Sequence, residues 1–129
     1  MEIREEIAQD MPLIFEINDA AFGRPDEALL VDRLRAVKAI ICSLIAIRDG
    51  QPLGHALFTP LLLHNESGVV TVLAALGPVA VLPAYQRQGI GQALIDQGIR
   101  MCRDSRYRAM LVLGHPSYYP RFGFRPASR

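Results

Sequence analysis

Residues 76–95 read LGPVAVLPAYQRQGIGQALI. A valine-rich apolar run ends at Pro83, and Gln86-Arg87-Gln88-Gly89-Ile90-Gly91 leads directly into a stretch with helical spacing. Glycines at a helix start let backbone approach a ligand. The first-turn N–H groups there have no acceptor within the helix, so such a loop binds phosphate through backbone donors alone. Two common phosphate loops fail on the residues. A dinucleotide fingerprint ends on Gly or Ala where this chain has Leu94, and the acid expected about twenty residues further on is absent. A Gly-Lys-Ser/Thr loop is excluded because the one lysine is Lys38.

Working outward, the pattern predicts an α+β chain. Upstream, residues 3–6 read as a short strand. Asp10 reads as an N-cap with Pro12 just inside a helix running to about Phe22. Pro25 opens a second helix with Leu29, Leu30, Leu34 and Val37 as its buried stripe. Residues 40–47 form an apolar strand, Asp49-Gly50 is a hairpin signal, and a second strand covers 53–64. The long strand 69–82 contains Gly77-Pro78, and proline cannot donate to a ladder, so a bulge or a strand edge is expected there. Downstream, residues 89–106 are helical, with Ile90, Ala93, Leu94, Gly98 and Met101 on one face. Residues 109–113 are a short apolar strand, 116–121 a short helix or turn, and Phe124 begins another extended piece.

Composition bounds what such a chain does. Its 129 residues make one domain, 1–129, with 50% hydrophobic and 21% charged residues, which is globular usage. A net charge of +1 argues against a general nucleic-acid binder. The most apolar stretch is too short to span a bilayer, and MEIREEIAQDM has no apolar signal region, so a soluble cytoplasmic protein is expected. Cys42 and Cys102 have no partners at metal spacing, and no metal site is expected. The charge is uneven: residues 1–85 hold six basic and eleven acidic side chains, whereas 86–129 hold eight arginines against Asp96 and Asp104. Arg100, Arg103 and Arg106 suit the end of a helix, but an anionic ligand would also suit this third of the chain.

The loop now has a family likeness. Gln86, Gly89 and Gly91 fill the places of Gln/Arg-x-x-Gly-x-Gly/Ala, so the stretch resembles the acetyl-CoA pyrophosphate loop of the GNAT superfamily of N-acetyltransferases. Residues 118–124, YYPRFGF, resemble that family's Y-x-x-x-G-F segment, which arylalkylamine acetyltransferases carry in a related form. The wording VLG-x-P-x-Y-Y-x-R-F-G-F is most like the YhbS-like bacterial acetyltransferases. The resemblance covers essentially the whole chain.

It implies a mixed sheet flanked by helices, in which the fourth strand splays from the fifth. The pantetheine arm would lie in the splay on Val79, Ala80 and Val81, and the pyrophosphate on Arg87, Gln88, Gly89, Ile90, Gly91 and Gln92 behind Gln86. Acetyl-CoA would be the cosubstrate and a small-molecule or peptide amine the acceptor, joined by direct attack in a ternary complex. Tyr119 matches the family's general acid for the leaving thiolate, with Tyr118 its neighbour and competitor. For the general base, His115 at the end of the fifth strand is the first candidate and Glu27 the second. His55, His64, Cys42 and Cys102 read as structural. The competing reading is a non-catalytic acyl-CoA-binding module, or an enzyme half that acts within an assembly.

After Phe124 only residues 125–129 remain, whereas relatives continue through further strands. The expectation is therefore a homodimer through the fifth-strand edge, or a shortened form of a longer protein.

Overall fold

The computed structural model describes residues 1–68, 70–104 and 110–112. In chain order the elements are β1 (Glu2–Glu5), a 3-10 turn (Ala8–Asp10), α1 (Met11–Phe22), α2 (Asp26–Ala36), β2 (Cys42–Arg48), β3 (Gln51–His64), β4 (Val70–Val81), a second 3-10 turn (Pro83–Tyr85), α3 (Ile90–Asp104) and β5 (Met110–Val112). The strands form one sheet in that order, antiparallel from β1 to β4 and parallel between β4 and β5. A parallel neighbour needs a crossover, and α3 supplies it. The expected α+β plan with a mixed central sheet is the one observed.

Alternation decides which helix covers which face. Leu44, Ala46, Ala56 and Phe58 pack with Ile90, Leu94, Ile95 and Ile99 of α3. Their neighbours Ile45 and Leu57 pack with Ile14 of α1 and Val31 of α2 on the other side. Each fully buried aliphatic or aromatic side chain here stabilises the fold by roughly 1.5–3 kcal/mol. Asp49 and Gly50 both take left-handed φ, 52° and 77°, the geometry of a tight two-residue hairpin turn.

Two local expectations are corrected. Asp10 does precede α1, but its side chain caps nothing there: it accepts from the Ile7 N–H at 2.8 Å and from the Arg4 guanidinium at 2.7 and 3.1 Å. In α2 the buried residues are Ala28 and Val31, while Leu29, Leu30 and Val37 are exposed. The small face of the helix lies on the core, and Leu30 turns towards a cavity.

A polar chain ties α1 and α2 to the sheet. Asn18 donates to the Ile14 carbonyl at 2.9 Å, which orients its amide, and contacts His55 Nδ1 at 3.1 Å. His55 Nδ1 is therefore the acceptor, and Nε2 carries the proton towards Ser43 Oγ at 2.7 Å. Arg35 forks onto Glu6 at 2.9 and 3.0 Å. Burial pushes His55 down from 6.5 to about 4, with Glu6 raising it and Arg35 lowering it by lesser amounts. The unfolded chain then binds a proton that the native state refuses between those two values. Stability should fall by about 3 kcal/mol as the pH drops through that window. Denaturant unfolding at a series of pH values measures this, and His55→Gln should flatten the slope. An unchanged slope would mean that burial does not keep His55 neutral. Glu6 and Asp10, whose carboxylates are held low by their arginine partners, lose their contribution only at more acid pH, below the ordinary carboxylate range.

Candidate functional site

The loop between β4 and α3 is built from its own backbone. The Tyr85 N–H donates to the Leu82 carbonyl at 2.8 Å, closing the turn after the strand. Gln86 then folds back, its Nε2 donating to the Val81 carbonyl at 3.0 Å. Arg87 and Gly89 take left-handed φ of 64° and 82°, which only glycine adopts freely. The first α3 bond runs from the Ala93 N–H to the Gly89 carbonyl at 3.0 Å. Among the described residues, the backbone N–H groups from Arg87 to Gln92 have no acceptor. They sit at the positive end of a 15-residue helix.

The strand beside the loop has a free edge. Opposite Leu57, β4 carries two residues, Gly77 and Pro78, where β3 has one, so the expected bulge is present. Pairing with β5 covers Ala74, Ala75 and Leu76 and, among the described residues, goes no further. Beyond the bulge, the Leu82 N–H donates to the Leu53 carbonyl at 2.9 Å. Antiparallel bonds alternate, so Ala80 bonds into β3 while the backbone groups of Val79 and Val81 point the other way.

A cavity of about 680 Å³ lies against this edge and loop. It brings together Val79, Val81, Gln86, Arg87, Gly89, Ile90, Gly91 and Gln92 of the sequence-derived set. Ala80 and Gln88 do not line it. Ala80 is buried under the sheet, and Gln88 accepts from Arg48 Nη1 at 3.1 Å. His115, Tyr118 and Tyr119 lie outside the described residues.

The opposite wall comes from Phe22, Glu27 and Leu30. Arg24 forks onto Glu27 at 2.6, 3.0 and 3.2 Å. That contact holds the Glu27 carboxyl below its ordinary range, which makes it a poorer proton acceptor than a general base requires. Sequence reasoning missed Phe22, Leu30 and Tyr85. The only signal for the first two was an apolar residue on a helix, Phe22 at the end of α1 and Leu30 within α2, where core and cavity wall look alike.

Other candidates resolve simply. His55 is structural, as expected, and His64 ends the exposed tip of β3. Cys42 and Cys102 are both buried and in contact, which pushes Cys42 up and draws Cys102 down; neither lines the cavity, and both pack as core thiols. Arg100 pairs with Asp96 one turn away, which leaves Arg87 as the described arginine that faces the cavity. Among the described residues, no group of three or more His, Cys, Asp or Glu side chains could hold a metal ion, and no helix is long and apolar enough to cross a membrane.

Comparison with known proteins matches this geometry. A family model described as an acetyltransferase (GNAT) domain fits residues 2–127. The crystal structure of a GNAT family acetyltransferase from Brucella melitensis in complex with acetyl-CoA superposes with a TM-score of 0.87 and 43% identity, over 96% of this chain and 82% of that one. The YhbS N-acetyltransferase of Escherichia coli, solved in complex with CoA, gives 0.83 and 32%, over 95% and 67%. YjhQ, an uncharacterized N-acetyltransferase of Escherichia coli K12, is 38% identical over 117 residues, or 89% of this chain, and the chain spans 64% of its length. A family model over nearly all of the sequence, and relatives above 30% identity, agree with the bulged strand and the glycine loop: the chain belongs to the GNAT acetyltransferase family.

Proposed function

We propose that residues 1–129 act as one N-acetyltransferase domain that moves an acetyl group from acetyl-CoA to a primary amine within a ternary complex. The observation that carries this is the run of N–H groups from Arg87 to Gln92, without acceptors among the described residues, along a cavity that follows the free edge of β4. The fit is chemical as well as spatial. A Cβ built at Gly89 meets nothing within 4 Å, and one at Gly91 meets only Val79 and Val81 at 3.6 and 3.7 Å. The space beside Gly89 is therefore open, and Gly91 brings the helix start into ordinary contact with the β4 valines. Val79, with its outward backbone groups, and the Val81 N–H offer strand-like partners to an amide-bearing arm, the Val81 carbonyl being held by Gln86.

Acetyl-CoA supplies an acyl group activated as a thioester, which an amine nitrogen attacks to form an amide as the thiol departs. The chain's contribution is positioning and polarisation. Loop N–H groups hold anionic oxygens, and an outward-facing N–H of β4 polarises a carbonyl placed beside it. Tyr119 donates the proton to the departing sulfur, as its match to the family motif implies. Replacing Tyr119 by Phe should lower kcat by ~10²-fold, within the usual range for a general acid, while leaving acetyl-CoA affinity unchanged. Full activity in Tyr119→Phe, with loss in Tyr118→Phe, would move the role to the neighbouring tyrosine. Thiol release from acetyl-CoA over a panel of amines tests the whole reading. Tight cosubstrate binding with no turnover on any amine would favour a binding module.

A further inference from the structure

The cavity is electrically divided. Among the described residues that line it, Arg87 and Glu27 carry charge. Arg87 belongs to the anion-binding loop, whereas Glu27 stands in the first turn of α2 beside Phe22 and Leu30. Phe22 and Leu30 are 39% and 44% exposed although apolar, and they line the same cavity as Glu27 rather than fill the core. The Glu27 side chain is only 16% exposed, while Arg24, its partner, is 62% exposed and does not line the cavity. The guanidinium therefore approaches from the solvent side. Two of the three Arg24 contacts fall on Oε1 and one, the longest at 3.2 Å, on Oε2, so Oε2 is the oxygen less engaged by the guanidinium. An anion beside an aromatic ring suits an ammonium group, which both attract.

From this arrangement, and resting on the acetyltransferase reading, we propose that Glu27 binds a second positively charged group of the acceptor, held apart from the amine that reacts. The two amines must differ because the attacking nitrogen needs a free lone pair, and a carboxylate contact favours the protonated form. The acceptor class is then a diamine-like molecule, with an apolar spacer lying on Phe22 and Leu30 between a bound ammonium and a reacting amine. Arg24 keeps the carboxylate ionised and sets its angle.

The test uses 5-amino-1-pentanol and 1,5-pentanediol, which share a chain length and a hydroxyl in place of the reacting amine and differ by the one ammonium. Each is titrated calorimetrically into the protein saturated with CoA. The amino alcohol should bind at least ~10-fold tighter than the diol, a difference of about 1.4 kcal/mol. Glu27→Gln should bring the two within about twofold while CoA affinity stays the same, and Arg24→Gln should retain the preference because the carboxylate remains. Equal affinities in the wild-type protein, or a preference that survives Glu27→Gln, would overturn the assignment. If CoA itself does not bind, the proposed function fails instead. The ratio of amino-alcohol to diol affinity, measured on the protein alone, still decides the role of Glu27.

Discussion

Gly98→Ala should destabilise the protein by about 3 kcal/mol or more, a large share of the 5–15 kcal/mol typical of a domain. A Cβ at position 98 would overlap the Phe58 ring at Cζ, Cε2 and Cε1. Neither partner has room to move. Phe58 is fully buried in β3 and its carbonyl accepts from the Ile41 N–H at 2.7 Å, while Gly98 is on the buried face of α3 between Leu94 and Cys102. Helix propensity works the other way, since alanine is better than glycine by roughly 1 kcal/mol, so the observed loss understates the clash. Denaturant unfolding measures it. Phe58→Leu in the same chain should recover part of the loss by shortening the ring side. A Gly98→Ala protein as stable as wild type would mean that α3 does not rest on Phe58, and the position of the loop at its N-terminus would lose its support.

The elements legible in the sequence are those specified locally. Asp49-Gly50 announced its hairpin because two successive left-handed residues are needed there. Gly77-Pro78 announced the bulge because proline cannot continue a ladder. Burial was harder to read. In α2 the hydrophobic pattern pointed to Leu29, Leu30, Leu34 and Val37, yet of these only Leu34 packs on the core, which otherwise took Ala28 and Val31. A helix with apolar residues on two sides does not reveal which side meets the sheet and which meets a cavity. Asp10 is a similar case: its residue type suited an N-cap, but Arg4, six residues earlier, competed for the carboxylate and won with two hydrogen bonds.

The site divides in the same way. Its anion loop is contiguous, from Gln86 to Gln92, and glycine spacing before a helix is a strong local signal. The loop's side chains have partners that pattern alone does not reveal. Gln86 uses its amide to brace Val81, and Gln88 is engaged by Arg48, which lies forty residues away. Ala80 was grouped with Val79 and Val81, but ladder alternation turns its backbone into β3. The wall of Phe22, Glu27 and Leu30 is brought to the loop only by tertiary folding, with more than fifty residues between them in sequence. Nothing local marks such a meeting.

Gly91→Val should abolish acetyl-CoA binding, weakening it by ~10³-fold or more, about 4 kcal/mol, without harming the fold. The choice of glycine matters. Gly89 takes a φ of 82°, so any side chain there strains the backbone whatever space it finds, and lost binding would have two causes. Gly91 is in the first turn of α3 with no such φ, and a Cβ there makes ordinary contacts with Val79 at 3.6 Å and Val81 at 3.7 Å. Valine is also a better helix former than glycine, so the melting temperature should hold or rise. The two added methyl groups narrow the cavity that Gly91 lines together with Val79 and Val81. They obstruct a bound phosphate there while leaving the donors themselves intact. Calorimetric titration with acetyl-CoA, beside a thermal melt of the same sample, separates the outcomes. Wild-type affinity in a folded Gly91→Val protein would show that the phosphates lie elsewhere, and the role given to residues 86–92 would fall with it.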